Sequence, residues 1–159
     1  MSGIKKNREV AFICPLGNEV LRVQNMIATE ELGRLFTIEL ELESDEDINF
    51  EDLLGQNVSI CLELRDDTRY FNGYIGSFSQ SPEQERNKRS YHASVHPWLW
   101  FLGHSANCRI FQHQTVPEII KSVFKEHGFS DILDFLSHSY QSLDYCVRNF
   151  SLVTGNFLK

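Results

Sequence analysis

The chain has 159 residues, 42% of them hydrophobic and 23% charged, which excludes a disordered chain and sets the expectation of one folded domain or little more. Fifteen lysines and arginines stand against 22 aspartates and glutamates, a formal charge of −7. That balance argues against nucleic acid as a partner, because binding it rests on neutralising phosphates, and against an anionic membrane surface.

Lys5, Lys6 and Arg8 are followed by a short apolar stretch, Val10 to Cys14, which Pro15 and Gly17 cut too early for a secretion signal. No run approaches the length of a membrane span, so no membrane insertion is expected. The first two thirds read as strands. Phe36, Ile38, Leu40 and Leu42 alternate with polar residues, the pattern of a strand with one buried face. Val58, Ile60, Leu62 and Leu64 repeat it. Between these runs, Phe50 to Leu54 predicts one helical turn ended by Gly55. The next strand, Arg69 to Phe78, holds Gly73 and Gly76, which mark a bulge or a close backbone approach. Ser79 to Arg89 is polar and reads as a protruding loop. Tyr91, Ala93 and Val95 alternate again until Pro97, and the Trp-rich residues after it read as a strand end.

A Cys-Arg-Ile-Phe-Gln turn at 108–112 then leads to a helix. Thr115-Val116-Pro117-Glu118 is a capping box with proline in the first turn. Ile119, Ile120, Val123 and Phe124 form its apolar stripe, and Gly128 is placed as the residue that ends it. Ile132 to Leu136 reads as a short strand.

Cys14, Cys61, Cys108 and Cys146 are widely spread, with neither a C-x-x-C pair nor a zinc-ligand spacing. They read as reduced, mostly buried thiols of a cytoplasmic protein. His92 and His96 share a strand face but lie about 13 Å apart, too far for a ligand pair. Cys108 with His104 or His113 has no nucleophile signature around it and reads as structural. No pair of carboxylates is marked as general acid and base, and no glycine loop is shaped for phosphate. Neither an enzyme nor a bound metal or cofactor is therefore expected. Trp98 and Trp100 read as core on strand alternation; the alternative is an aromatic platform in a small carbohydrate- or peptidoglycan-binding β-domain. Arg109 suits an internal salt-bridge anchor or an interface equally well.

The runs LFTIELELES (35–44), DLLGQNVSICL (52–62), RYFNGYIGSF (69–78), YHASVHPWLWFLG (91–103), CRIFQHQTVPEIIKSVFKEHGF (108–129) and YCV (145–147) resemble, in this order, the N-terminal hub region of the VgrG family. VgrG proteins are spike proteins of type VI secretion, similar in turn to phage tail-hub and late-control D proteins. The resemblance implies a mainly β, α+β fold: a tube-like antiparallel β-barrel hub domain with a packing helix near 116–127. It implies a structural role as a homotrimer that docks onto the Hcp tube, with effector cargo as a further partner and export through the type VI apparatus. Residues 1–130 are expected to form the barrel-like domain and 131–159 the start of a second hub segment. After YCV, the family's Gln-Tyr-x-Glu-Ser-like stretch is replaced by RNFSLVTGNFLK (148–159), so a truncated or split hub is expected, without the valine-glycine repeats or the needle. Glu39, Glu41 and Glu63 on wet strand faces, with Arg109, Phe111 and Gln112, are the candidate interface.

Overall fold

The computed structural model describes residues 10–85, 88–104, 108–130 and 132–149, in two compact units that divide after Trp100. Lys5, Lys6, Arg8 and most of the final stretch lie outside the described residues.

The first unit is a six-stranded sheet of β1 (Val10–Ile13), β2 (Arg22–Thr29), β3 (Thr37–Ser44), β4 (Asn57–Glu63), β5 (Thr68–Glu85) and β6 (Lys88–His96). All pairings are antiparallel, in the spatial order β1-β4-β5-β6-β3-β2. The sheet curls into a half-barrel, so that the edge strands β1 and β2 approach each other without sharing a ladder. The alternation in β3 places Ile38, Leu40 and Leu42 inside, against Val95, Ala93 and Tyr91 of β6. Each such aliphatic side chain contributes about 1.5–3 kcal/mol through burial. Leu64, expected inward, is exposed, because β4 ends at Glu63 and Leu64 already belongs to the turn.

Tyr91 is fully buried and stacks on Phe78 with ring centroids 5.2 Å apart. A buried phenol needs partners for its hydroxyl. Here it accepts from the Ile48 amide (3.2 Å) and donates to the Glu46 carbonyl (3.3 Å). One side chain thus anchors the connection between β3 and β4 to the core. The short 3-10 helix expected in that connection is present at Phe50–Asp52, and Gly55 beyond it has a φ of +72°.

Gly73 and Gly76 do what their positions suggest. A Cβ at Gly73 would lie 2.6 Å from the His96 carbonyl oxygen, so glycine permits β5 and β6 to meet. Gly76 falls where the register between the two strands shifts, from Ile75 to Ser77.

Two expectations in this unit are corrected. The loop expected at 79–89 is largely strand: β5 runs to Glu85 and β6 begins at Lys88, with Gln84 paired to Arg89 and Glu85 to Lys88. Polar side chains do not weaken a backbone ladder. Pro82 sits in the bulge between Gln80 and Gln84, where a missing N–H is tolerated. The tryptophans after Pro97 belong to a 3-10 helix, Trp98–His104, opened by the Trp100 amide donating to the Pro97 carbonyl at 2.9 Å.

The second unit pairs β7 (Cys108–Gln114) with β8 (Leu143–Asn149) as an antiparallel ribbon, on which α1 (Val116–Glu126) packs through β7. The turn expected at 108–112 is therefore strand, and the strand expected at Ile132 to Leu136 has no regular structure. Alpha-helix α1 begins and ends as its signals dictate. The Glu118 carboxylate accepts from the Thr115 amide (2.7 Å) and hydroxyl (2.8 Å). At the other end Gly128 has a φ of +84°, the Phe129 amide donates to Phe124 and the Gly128 amide to Lys125, which is the Schellman pattern. Ile119 and Val123 are the buried residues of its stripe.

Candidate interaction surface

Glu39 and Glu41 project from the outer face of β3, because Ile38, Leu40 and Leu42 take the inner one. Their register neighbours are Ile27 and Asn25 on β2, and Ser94 and His92 on β6. The result is an acidic strip on a polar sheet face. Glu63 is exposed but stands at the end of β4, with β5 and β6 between it and β3. The structure brings together the first two of these carboxylates and leaves the third elsewhere.

The other three nominated residues sit on β7. Arg109 forms an ion pair with Glu126 near the C-terminus of α1 and lies 4.9 Å from the centre of the Phe111 ring. Phe111 is buried, so it supports the ribbon from inside, while Gln112 is exposed. His113, next along, holds a left-handed φ of +53°, a conformation that strains any residue with a Cβ.

The histidines do not converge. His96 stacks on Trp100 with centroids 4.5 Å apart and rings 5° from parallel, its Nε2 3.1 Å from the Ser94 hydroxyl. His92 faces outward on the same strand. Among the described residues, no group of three or more His, Cys, Asp or Glu is placed to hold a metal ion. The Cys108 side chain lies outside the described ones. Burial pushes the Cys14 thiol above its ordinary range, away from the thiolate a nucleophile needs. Trp98 and Trp100 lie on a 3-10 helix, so the strand alternation that gave them a common face does not apply.

One feature was missed from sequence altogether. Where β1 and β2 approach, an open cavity of about 910 Å³ is lined by Val23, Met26 and Ala28 on one side and Leu62, Arg69 and Phe71 on the other. The Arg69 guanidinium lies 4.5 Å from the Phe71 ring centre and pairs with Glu30. Arg22 holds both oxygens of Asp45 at 2.8 Å and reaches Glu43 at 3.1 Å, while Lys88 reaches Glu43 at 3.0 Å. The Arg22 hydrogen bonds keep the Asp45 carboxyl below the usual carboxylate range. Positions 22, 43, 45 and 88 are too dispersed along the chain for any spacing rule to group them.

The described residues offer exposed acidic and apolar surfaces. The family model described as phage tail baseplate hub (GPD) matches residues 29–149. The type VI secretion system spike protein VgrG1b of Pseudomonas aeruginosa is 45% identical over 93% of this chain and 20% of its own length. VgrG1c of the same organism is 47% identical over 84% of this chain and 19% of its own. The chain thus spans about one fifth of these relatives. The solved structure of the E. coli c3393 protein, described as a component of the type VI secretion system similar to the bacteriophage T4 tail proteins gp27 and gp5, has the same fold. Its TM-score is 0.63 at 20% identity, over 80% of this chain and 38% of that one.

Proposed function

The chain belongs to the phage tail baseplate hub family, a structural family, and on that premise we propose that it serves as part of a type VI spike hub, as a trimer that docks onto the Hcp tube. One observation carries this reading: the family match over 29–149 takes in β3 to β6 of the curled sheet and all of β7, α1 and β8. Residues 1–130 then supply the barrel-like part of the hub and 131–159 open a second hub segment. Glu39, Glu41 and Glu63 on the curled sheet, and Arg109 and Gln112 on β7, are the polar contacts offered to neighbours, and Phe111 supports the two on β7 from within its own unit. Effector cargo is a further partner in this reading, and the protein is made in the cytoplasm and exported through the type VI apparatus. No helix among the described residues is long and apolar enough to cross a membrane.

The test is to mix the purified chain with Hcp hexamers and follow mass by light scattering on a sizing column. A trimer that co-elutes with Hcp is expected. The double variant Glu39→Lys with Glu41→Lys should weaken that complex by about tenfold or more, through charge reversal at the rim. Monomer with no co-elution at any concentration overturns the reading.

A further inference from the structure

Most ion pairs of the curled sheet join neighbours. Arg22 pairs with Glu43, its register partner on β3, and with Asp45 just past that strand. Lys88 on β6 reaches Glu43 on the adjoining β3, and Arg89 reaches Asp47. Arg34 pairs with Glu31 inside the turn between β2 and β3. Arg69 and Glu30 differ. Arg69 stands near the start of β5 and Glu30 one residue past the end of β2, strands that β6 and β3 separate along the sheet. Yet Arg69 Nη2 donates to Glu30 Oε2 at 2.5 Å. Among the described residues of this unit, it is the one ion pair that crosses the hollow of the sheet as a chord.

Strand alternation aims both ends inward. Arg69 lies two residues before the buried Phe71 and so shares its face, with the guanidinium 4.5 Å from the ring centre. Glu30 continues the row of Met26 and Ala28, whose register partners Leu40 and Ile38 are buried in the core. All five of Met26, Ala28, Glu30, Arg69 and Phe71 border the open cavity. The paired side chains are 50% and 44% exposed, so water and salt reach them. A pair in that setting is weak and easily screened. Weakness suits it to hold a gap at a set width, and leaves the folding of the sheet to its core.

We infer that the Arg69–Glu30 pair is a salt-sensitive latch that sets the gape of the curled sheet. With the pair made, the end of the β2–β3 hairpin is drawn toward the start of β5. With the pair broken, the hairpin swings outward and the cavity wall at Met26 opens to water. The Phe71 ring keeps the guanidinium in place between the two states, because a planar cation stacks on an aromatic face with or without its carboxylate. Met26 is the natural reporter, being partly buried against the core and set in the cavity wall. The latch belongs to a single copy of the chain, so it stands apart from the hub reading.

The test is the rate at which dilute hydrogen peroxide converts Met26 to its sulfoxide in the full chain, read by mass spectrometry against free methionine in the same solution. Raising salt from about 0.01 M to about 1 M shortens the Debye length from about 30 Å to about 3 Å. In wild type the relative rate is expected to rise about twofold to fivefold over that range. Glu30→Gln and Arg69→Gln should each show the higher rate already at low salt and respond to salt no further. The double variant should match either single one, since all three lack the same pair. Amide exchange in β3 and β6 should stay at its wild-type rate throughout, which separates an opened mouth from a loosened fold. A wild-type rate indifferent to salt overturns the inference, as do single variants that oxidise like wild type or keep its salt response. Exchange in β3 that rises in step with Met26 oxidation overturns it too, by assigning the effect to stability alone. None of these outcomes bears on the hub reading.

Discussion

The two units reach order by different routes. In the barrel unit, Tyr91, Ile38, Leu40 and Val95 are buried by neighbours distant in sequence, and the ladder joins Ile38 to Val95 and Val10 to Leu62. In the ribbon-helix unit, the described buried side chains are few, and the clearest order comes from local devices: Glu118 at one end of α1 and Gly128 at the other. Non-local burial yields a region that opens as a whole, whereas local caps yield one that frays. Amide exchange should accordingly be slowest in β3, β4 and β6 and faster throughout 108–149.

Two substitutions sharpen or break this contrast. Tyr91→Ala should cost the barrel about 3–5 kcal/mol, as for other large aromatic truncations, and lower its melting temperature by about 12 °C or more, or unfold it. A loss under about 1 kcal/mol would mean that the core is not where the barrel's stability resides. Gly128→Ala forces a Cβ into a left-handed position and should cost about 1 kcal/mol, read as faster exchange in α1 with unchanged exchange in β3. If β3 exchange rises equally, the units are one cooperative body and the contrast fails.

The smallest effect is on pH. Hydrogen bonds hold the carboxyls of Asp45, in the barrel, and Glu118, at the helix start, below their ordinary values. A depressed carboxyl contributes stability above its unfolded pKa and loses it as pH falls through the folded one. Asp45→Asn and Glu118→Gln should therefore be slightly less stable than wild type at about pH 7 and converge with it in acid, as pH falls through the depressed folded pKa of each carboxyl. Thermal melts at both pH values check this, and a difference that persists in acid would assign the effect to shape instead of charge.

How much of this was legible in the chain follows from the same contrast. The period of two in β3 and β6 was readable because one face is buried and the other wet. Helix α1 was readable because its stops are local. Strand β2 was not, since the register shift after Val23 breaks the alternation and Ile27 faces solvent. The ribbon at 79–89 was hidden by its polarity, and the Trp98–His104 helix by an alternation of apolar residues that imitates a strand. The cavity was beyond reach, because its walls assemble residues from β2, β4 and β5. The resemblance to a hub family was carried by whole runs in order, not by any single chemical motif, and the family match confirms it.

The strand order has a consequence for synthesis on the ribosome. β2 with β3, and β1 with β4 and β5, can each pair as they emerge, but the two groups share no ladder of their own. β6 lies between them and is the last of the six to be made. Until His96 has cleared the exit tunnel, the nascent chain holds two separate pieces of sheet with their apolar faces uncovered, and β6 is the keystone whose arrival turns both into one.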